Sequence, residues 1–334
     1  MTQEEHIACF MQEWKAGKGI SAMTSGSTGE PKKIWLPREQ VKRSALRTNK
    51  FFEISANSCL HSAVSFQYIR GKMVIARALT AKCNYTWQEP SLNPTPPAGP
   101  EVALMSVTGA QMPHILRNKG EFNHVKAFLI GGSALSEELC RSISTSGLTA
   151  YESYGMTETA SHIALRKIDD KKSFKAPFFP LPGIRISLTE DNRLIIDDDD
   201  IKVVTNDIAR IYPEGGFEIL GRSDDMIVTG GKKVLPQTIE KIISDHIRLA
   251  GHDFFIDSIP HPQWTNEIVL VVIGDEMTYP VLYDAQKEIS SLTEDVLPRW
   301  QRPKKILIAD RPPLTPNGKL KRRDLNFLMG LSVF

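Results

Sequence analysis

Apolar and polar positions along the chain fall into short blocks whose period changes from one block to the next. In residues 4–16, Ile7, Phe10, Met11 and Trp14 recur at three- and four-residue steps, which predicts an amphipathic helix. Ile34-Trp35-Leu36 reads as a strand, and 38–52 as a helix carrying several positive charges. Residues 60–66 predict a buried strand, 71–81 are apolar at helical spacing, and 102–107 and 127–130 predict further strands. Alternation of this kind predicts an α/β sheet with helices on its faces. The proline-rich stretch 89–100 predicts an extended surface connection. Farther on, 217–222 after the Gly215-Gly216 turn reads as the second arm of a hairpin. Helices at 237–246 and 283–297 with strands at 253–259 and 268–274 then predict a small α+β domain.

Composition narrows the class. A chain of 334 residues with 41% hydrophobic content fills real cores and has room for about two or three domains. Net charge is +2, with lysine and arginine dispersed apart from one basic patch near the C-terminus, which argues against a nucleic-acid partner. Cys9, Cys59, Cys83 and Cys140 are widely spaced, without a CxxC pair or histidines at metal spacing, and read as reduced thiols. No secretory pattern opens the chain and no apolar run of about 18 residues occurs, so a cytoplasmic protein without a membrane span is expected. No internal repeat of fixed period is visible.

Several segments carry candidate chemistry. Thr24-Ser25-Gly26-Ser27-Thr28-Gly29-Glu30-Pro31-Lys32 combines glycines that let backbone N–H groups approach an anion, hydroxyl donors and a lysine charge. It reads as a phosphate cradle or a Ser/Gly surface loop, and it lacks the P-loop spacing. Gly131-Gly132-Ser133 stands between a strand and the helical stretch 136–144, where α/β sheets place ligands, although an ordinary strand-to-helix turn reads the same way. In Tyr151-Glu152-Ser153-Tyr154-Gly155-Met156-Thr157-Glu158-Thr159, an aromatic ring offers a stacking face, Gly155 allows close backbone approach, and Thr157 and Glu158 supply oxygen ligands. Isolated, this segment equally describes a solvated turn. Asp197-Asp198-Asp199-Asp200 reads as a solvated charge-rich turn, because neighbours in an extended segment point to opposite faces and cannot converge on one ion. Asp207, at the end of Val203-Val204-Thr205-Asn206, is suited to a ribose diol.

Taken together these segments resemble the adenylate-forming superfamily of acyl-CoA synthetases, peptide-synthetase adenylation domains and luciferases. TSGSTGEPK, YGMTE, TND, GRSDD with TGGKKV, and PLTPNGKLKR occur in the order typical of that superfamily and spread over essentially the whole chain. The resemblance implies a large AMP-binding α/β domain at 1–223 and a small mobile α+β lid at 224–334. It also implies an N-terminal portion shortened relative to full-length members, with oligomerisation as one compensation for the exposed sheet. Thr24, Ser25, Gly26, Ser27, Thr28, Gly29 and Lys32 would hold the ATP phosphates. Gly131, Gly132 and Ser133 would line the adenine and acyl pockets, and Tyr154 with Gly155 would receive adenine. Thr157 and Glu158 would handle the α-phosphate, with Glu158 on magnesium, and Asp207 and Arg222 would bind ribose. Asp224 would be the hinge, Gly230 and Gly231 would lie in the loop that swings in for the coenzyme A step, and Lys319 would reach the reacting carboxylate.

The acid is a narrower question. Arg77 in the helix after Gln67-Tyr68, and Ser161-His162 after YGMTE, resemble the o-succinylbenzoate-CoA ligases of menaquinone biosynthesis, especially short Bacteroidetes-type members. By that resemblance Arg77 and Ser161 would recognise the acid, Gln67 would line its channel where many relatives carry histidine, and His162 would line the pocket or act in catalysis. Arginine suits a dicarboxylate, since one carboxylate reacts while the other is anchored by a bidentate pair. Arg70 and Lys72 are further candidates for the anchor, and a surface position on the helix is the plain alternative for Arg77. The expected protein is therefore an ATP-, magnesium- and coenzyme A-dependent acid–thiol ligase. An aryl or amino acid adenylating enzyme that loads a carrier protein, or a non-catalytic nucleotide-binding relative, is the other reading.

Overall fold

The computed structural model describes residues 1–24, 32–97, 99, 101–169, 176–199, 201–247, 249–275, 279–314 and 320–333. Helix α1 (Gln3–Lys15) opens with Thr2 as N-cap in a capping box with Glu5. Strands β1 (Gly19–Met23) and β2 (Lys33–Pro37) pair antiparallel, and α2 (Arg38–Phe51) follows. Next come β3 (Cys59–Ser62), α3 (Ile69–Ala81), β4 (Asn84–Trp87), β5 (Leu104–Thr108), α4 (Met112–Arg117) and β6 (Phe128–Gly131). The chain continues through α5 (Glu137–Ser144), β7 (Ala150–Met156), β8 (Ser161–Lys167) and β9 (Phe179–Pro180).

Strands β4-β3-β5-β6-β7-β8-β9 form a seven-stranded sheet in that order. Pairing is parallel from β4 to β7 and antiparallel from β7 to β9, so one crossover type gives way to the other at β7. Helix α3 is apolar around most of its circumference, which suits a crossover helix buried between layers, and it stops at Lys82 in the left-handed conformation. One core packs Val107, Phe122, Phe128 and Ile130 with α4 and α5; another joins Phe10 of α1, Ile20 of β1, Val41 of α2 and Met73 of α3.

Strands β10 (Arg185–Leu188), β11 (Arg193–Asp198), β12 (Ile201–Ile211) and β13 (Phe217–Arg222) make a four-stranded sheet in chain order. Beyond it lie the hairpin β14 (Ile227–Thr229) and β15 (Lys232–Val234), then α6 (Pro236–His246), β16 (Phe254–His261) and β17 (Thr265–Ile273). Helix α7 (Tyr279–Ser291), β18 (Lys305–Ala309), α8 (Leu325–Leu328) and β19 (Ser332–Val333) complete the described chain. Strands β16 to β19 form a second four-stranded sheet, with Leu270, Val272, Ile239 and Leu282 in the core on one face. The chain divides into two compact units: Met1–Ser187 with Ile195–Val204 and Ile211–Glu218, and Leu188–Leu194 with Thr205–Arg210 and Ile219–Phe334.

Three sequence expectations need correction. The four-aspartate run is a solvated turn only in part: Asp199 lies in an exposed turn, but Asp197 and Asp198 belong to β11, and Asp198 is buried, its carboxylate held bidentately by Arg47. Asp197, on the opposite face of β11 from Asp198, and Asp199 in the turn pair with Arg185 at 2.9 and 2.8 Å; Asp200 lies outside the described residues. Strand β3 ends at Ser62 because the Ser62 hydroxyl turns onto the Val64 carbonyl at 3.0 Å and the Phe66 N–H is taken by Gln3 at 2.8 Å. Helix α7 begins one residue before Pro280 and ends at Ser291; Arg302 donates to the Ser290 carbonyl in its last turn, which lacks a helical donor, and to the Leu292 and Leu297 carbonyls beyond it.

His61 on β3 shows how the proline-rich connection is tied down. Its Nδ1 bonds the Thr86 hydroxyl at 2.7 Å, and its Nε2 accepts from the Gln88 amide at 2.9 Å, while Gln88 also grips Thr95. Burial first, and then the charge of His124, push its pKa down to about 4. A proton on Nε2 would face the Gln88 donor, so the unfolded chain binds that proton more readily. Stability is therefore complete above about pH 6.5 and falls by about 3 kcal/mol as pH drops to 4. His61→Gln is expected to flatten this slope when urea midpoints are compared between pH 7.5 and 4.5.

Candidate active site

The cradle segment connects β1 to β2 in the chain. Its neck is closed by two bonds: the Thr24 N–H donates to the Lys32 carbonyl at 2.8 Å, and the Lys32 N–H to the Thr24 hydroxyl at 3.1 Å. Ser25, Gly26, Ser27, Thr28 and Gly29 lie outside the described residues. Lys72, weighed as an anchor from the sequence, is buried and donates to the Ser21 carbonyl at 2.6 Å, bracing β1 just ahead of the cradle.

Gly131 and Gly132 end β6 at the carboxyl edge of the parallel part of the sheet. Arg70 lies under them, its Nη1 donating to the Gly131 carbonyl at 2.9 Å. Gly132 has φ +119°, a backbone angle that calls for glycine, and a Cβ there would press on the Arg70 guanidinium. Ser133 is exposed beside them. The Glu152–Arg166 pair is buried one strand over, where Glu152 also accepts from the Leu135 N–H at 3.2 Å and Arg166 lies over the Phe178 ring. Phe178 and Phe217 pack against Tyr154, with ring centroids 5.8 and 5.3 Å away. Glu152→Ala leaves Arg166 buried without this carboxylate, and a loss of about 3–5 kcal/mol in denaturant unfolding is expected.

Gly155 fits for a reason other than ligand approach. Strand β7 is irregular between Tyr154 and Gly155, and a Cβ on Gly155 would stand 2.3 Å from the Ser161 carbonyl of β8. The following turn holds Thr157, buried, and Glu158, exposed. Within it, Ala160 and Ser161 adopt φ of 52° and 91°, a strained pair of non-glycine residues.

Helix α2 secures this turn with three side chains one helical step apart. Gln40 donates to the Glu158 carbonyl at 2.7 Å, Ser44 to the Ala160 carbonyl at 2.7 Å, and Thr48 bonds His162 Nε2 at 3.1 Å. Four residues of helix advance about 6 Å and two residues of extended chain nearly the same, so the two registers match. Gln40, Ser44 and Thr48 carry no chemistry that sequence reading singled out; their signal is a four-residue repeat of uncharged polar residues on a helix otherwise rich in charge.

Arg77 on α3 is shut from solvent, 1% exposed, so it is no surface arginine. Its Nη2 meets His162 Nδ1 at 3.4 Å, while Nε and Nη1 have no partner among the described residues. Burial pushes its pKa down to about 9, which leaves it charged at neutral pH. Burial and the Arg77 charge hold His162 well below the ordinary histidine value, so the ring is neutral. Ser161 neighbours this cluster in sequence and is buried; Gln67 is exposed in the turn before α3.

The second unit carries the remaining candidates. Arg222 donates through Nη1 to Asp207 at 3.2 Å and through Nε and Nη2 to Asp224 at 2.8 and 2.6 Å. Burial pushes the Asp224 carboxyl up, but the hydrogen bonds and charge of Arg222 outweigh it and hold the group below its usual range. Gly230 and Gly231 form the two-residue turn of the β14–β15 hairpin, with φ of 54° and 76° that favour glycine. The Gly230 N–H donates to the Trp264 carbonyl at 2.9 Å. Lys319 lies outside the described residues, but the neck of its loop does not: the Lys321 N–H donates to the Pro313 carbonyl at 2.7 Å. Arg322 adds a double bond pair to Glu240 at 2.8 and 3.0 Å. Among the described residues no group of His, Cys, Asp and Glu could by itself hold a metal, and no helix is long and apolar enough to cross a membrane.

A mainly parallel sheet with a glycine pair at its carboxyl edge and a ring cluster of Tyr154, Phe178 and Phe217 defines an α/β protein of the kind that places ligands at such an edge. Residues 22–199 match the AMP-binding enzyme family, and the chain belongs to that family. It is 24% identical to the 2-succinylbenzoate–CoA ligase of Listeria monocytogenes, over 95% of this chain and 71% of that one. The crystal structure of an AMP-forming acyl-CoA synthetase/AMP-acid ligase II-like protein from Dyadobacter fermentans is 27% identical with a TM-score of 0.60, covering 95% of this chain and 91% of that chain. The o-succinylbenzoate CoA synthetase of Bacillus subtilis, solved with its acyl-adenylate intermediate, shares the fold at 18% identity and a TM-score of 0.74, over 92% of this chain and 68% of that one.

Proposed function

We propose that the protein is an AMP-forming acid–CoA ligase that activates a dicarboxylic acid, 2-succinylbenzoate. The observation that carries this reading is Arg77: a buried guanidinium with two unpartnered nitrogens among the described residues is costly unless a ligand anion completes it. A dicarboxylate supplies that anion and still has a carboxylate to react. The Listeria relative, which by its name acts on 2-succinylbenzoate, supports this acid.

In the first half-reaction the free carboxylate oxygen attacks the α-phosphorus of ATP and the bond to the bridging oxygen of pyrophosphate breaks. In the second, the coenzyme A sulfur attacks the acyl carbon, the thiol proton is lost and AMP leaves. Tyr154, backed by Phe178 and Phe217, would offer the adenine its face; Asp207 and Arg222 would hold ribose; Thr24, Lys32 and the intervening cradle would hold phosphate. Magnesium would neutralise the phosphates, and Glu158, an exposed carboxylate in no metal-holding group among the described residues, suits an ion that takes most of its ligands from phosphate and water. Asp224 would serve as hinge between 1–223 and 224–334, and Gly230 and Gly231 would approach the thioester step.

The test is acid-dependent pyrophosphate release with ATP and magnesium, followed by mass detection after coenzyme A is added. Release with 2-succinylbenzoate and not with benzoate, a fatty acid or amino acids, and then its CoA thioester, is the expected result. Release with a different acid moves the substrate; release without thioester points to a carrier thiol; no release with any acid overturns the catalytic reading.

A further inference from the structure

Among the described residues His162 makes two side-chain hydrogen bonds in the buried cluster, and together they fix its protonation. The Thr48 hydroxyl has one hydrogen, which goes to the Ser44 carbonyl at 3.2 Å, one turn back on α2. Toward His162 Nε2, 3.1 Å away, it must accept, so Nε2 carries the ring proton. Nδ1 is then a bare acceptor facing the Arg77 Nη2 at 3.4 Å. The opposite tautomer would set two N–H groups against each other in a place without solvent. The backbone strain at Ala160 and Ser161 lies immediately before this ring, and the Ser44 bond to the Ala160 carbonyl holds it.

We infer that His162 is a positioning residue that sets which edge of the Arg77 guanidinium is offered to the acid's second carboxylate, with Thr48 fixing the tautomer. The inference rests on the reading of Arg77 given above. Nη2 has two hydrogens. With one committed to His162, the other still forms a complete fork with a neighbouring nitrogen, and a planar carboxylate fits such a fork with two parallel bonds. Both ring nitrogens are engaged, so His162 has no free nitrogen with which to move a proton, and general base chemistry is not its role.

Thr48→Val keeps the shape and removes the acceptor. It is expected to raise KM for 2-succinylbenzoate about tenfold, the effect of weakening a hydrogen bond to a charged group, with KM for ATP within about twofold. Thr48→Ser is expected to restore the wild-type value. Two monocarboxylate analogues, 4-oxo-4-phenylbutanoate and 2-butanoylbenzoate, each lack one carboxylate; the analogue without the anchored one should respond little to Thr48→Val. Independently of turnover, long-range proton–nitrogen NMR of the free protein should find the His162 proton on Nε2. A proton on Nδ1, or an unchanged KM for the acid, or equal rises for acid and ATP, overturns the inference. Arg77→Met in the same assay separates the two readings: if it leaves the acid's KM unchanged the anchor itself fails, and if it raises KM while Thr48→Val does not, only the role of His162 falls.

Discussion

Arg77→Met is expected to make the protein more stable and far less able to use its acid. In the ligand-free protein the Arg77 guanidinium is fully buried, with Nε and Nη1 unpartnered among the described residues, so the folded state carries an uncompensated desolvation penalty. Methionine fills much of the same space without charge, and buried ionic groups replaced by apolar ones commonly leave stability unchanged or raise it by about 1–4 kcal/mol. The melting temperature should therefore rise. The same change removes the partner of a buried carboxylate, a loss of about 2–5 kcal/mol in transition-state binding for the dicarboxylate. That corresponds to a fall of at least about 30-fold in kcat/KM for 2-succinylbenzoate, with KM for ATP little changed. Thermal unfolding of the free protein and steady-state pyrophosphate release measure the two sides. A lower melting temperature with unchanged kinetics would mark Arg77 as a structural cation instead.

The second large effect is expected at Lys319. Adenylation brings a carboxylate against a polyanionic phosphate, and charge accumulates on the α-phosphate oxygens in the transition state, so a cation placed there acts mainly on the barrier. Lys319→Ala is expected to lower the adenylation rate by about 10²–10³-fold or more, with ATP affinity nearly intact. Conversion of supplied acyl-adenylate to thioester should continue, since that step needs no charge at the α-phosphate attack. Just beyond Lys319 in sequence, Arg322 is clamped by Glu240, and the Arg323 N–H donates to the buried carboxylate of Asp257 at 2.9 Å. Single-turnover measurement of each half-reaction distinguishes these outcomes. Equal loss of both would remove the lysine from its assigned step.

Much of the frame was legible because local signals agreed. The three- and four-residue spacing before Lys15, the polar-to-apolar switch at Leu60 and the glycine pair after Ile130 each predict an element that the structure contains. Within the Asp197–Asp200 run, composition describes a charged turn and so misses Asp198, which Arg47, about one hundred and fifty residues earlier in sequence, makes a buried ion-pair partner. Arg70 and Lys72 precede Arg77 on the same helix and share its charge, yet the fold sends them to the Gly131 and Ser21 carbonyls. One helix presents its residues around a full circle, so adjacent cations reach different neighbours.

The sequence by itself determined the family, the order of its chemical segments and the residue types at each, because these are properties of short stretches whose spacing is covalent. What only the tertiary structure decided is which polar groups lose their water and whom they then meet. The ladder of Gln40, Ser44 and Thr48 onto Glu158, Ala160 and His162 joins stretches more than one hundred residues apart, and no local pattern carries that pairing. Burial turns Arg77 from one of three cations on its helix into a cation short of partners, since the penalty for an unpaired charge exists only where solvent is excluded.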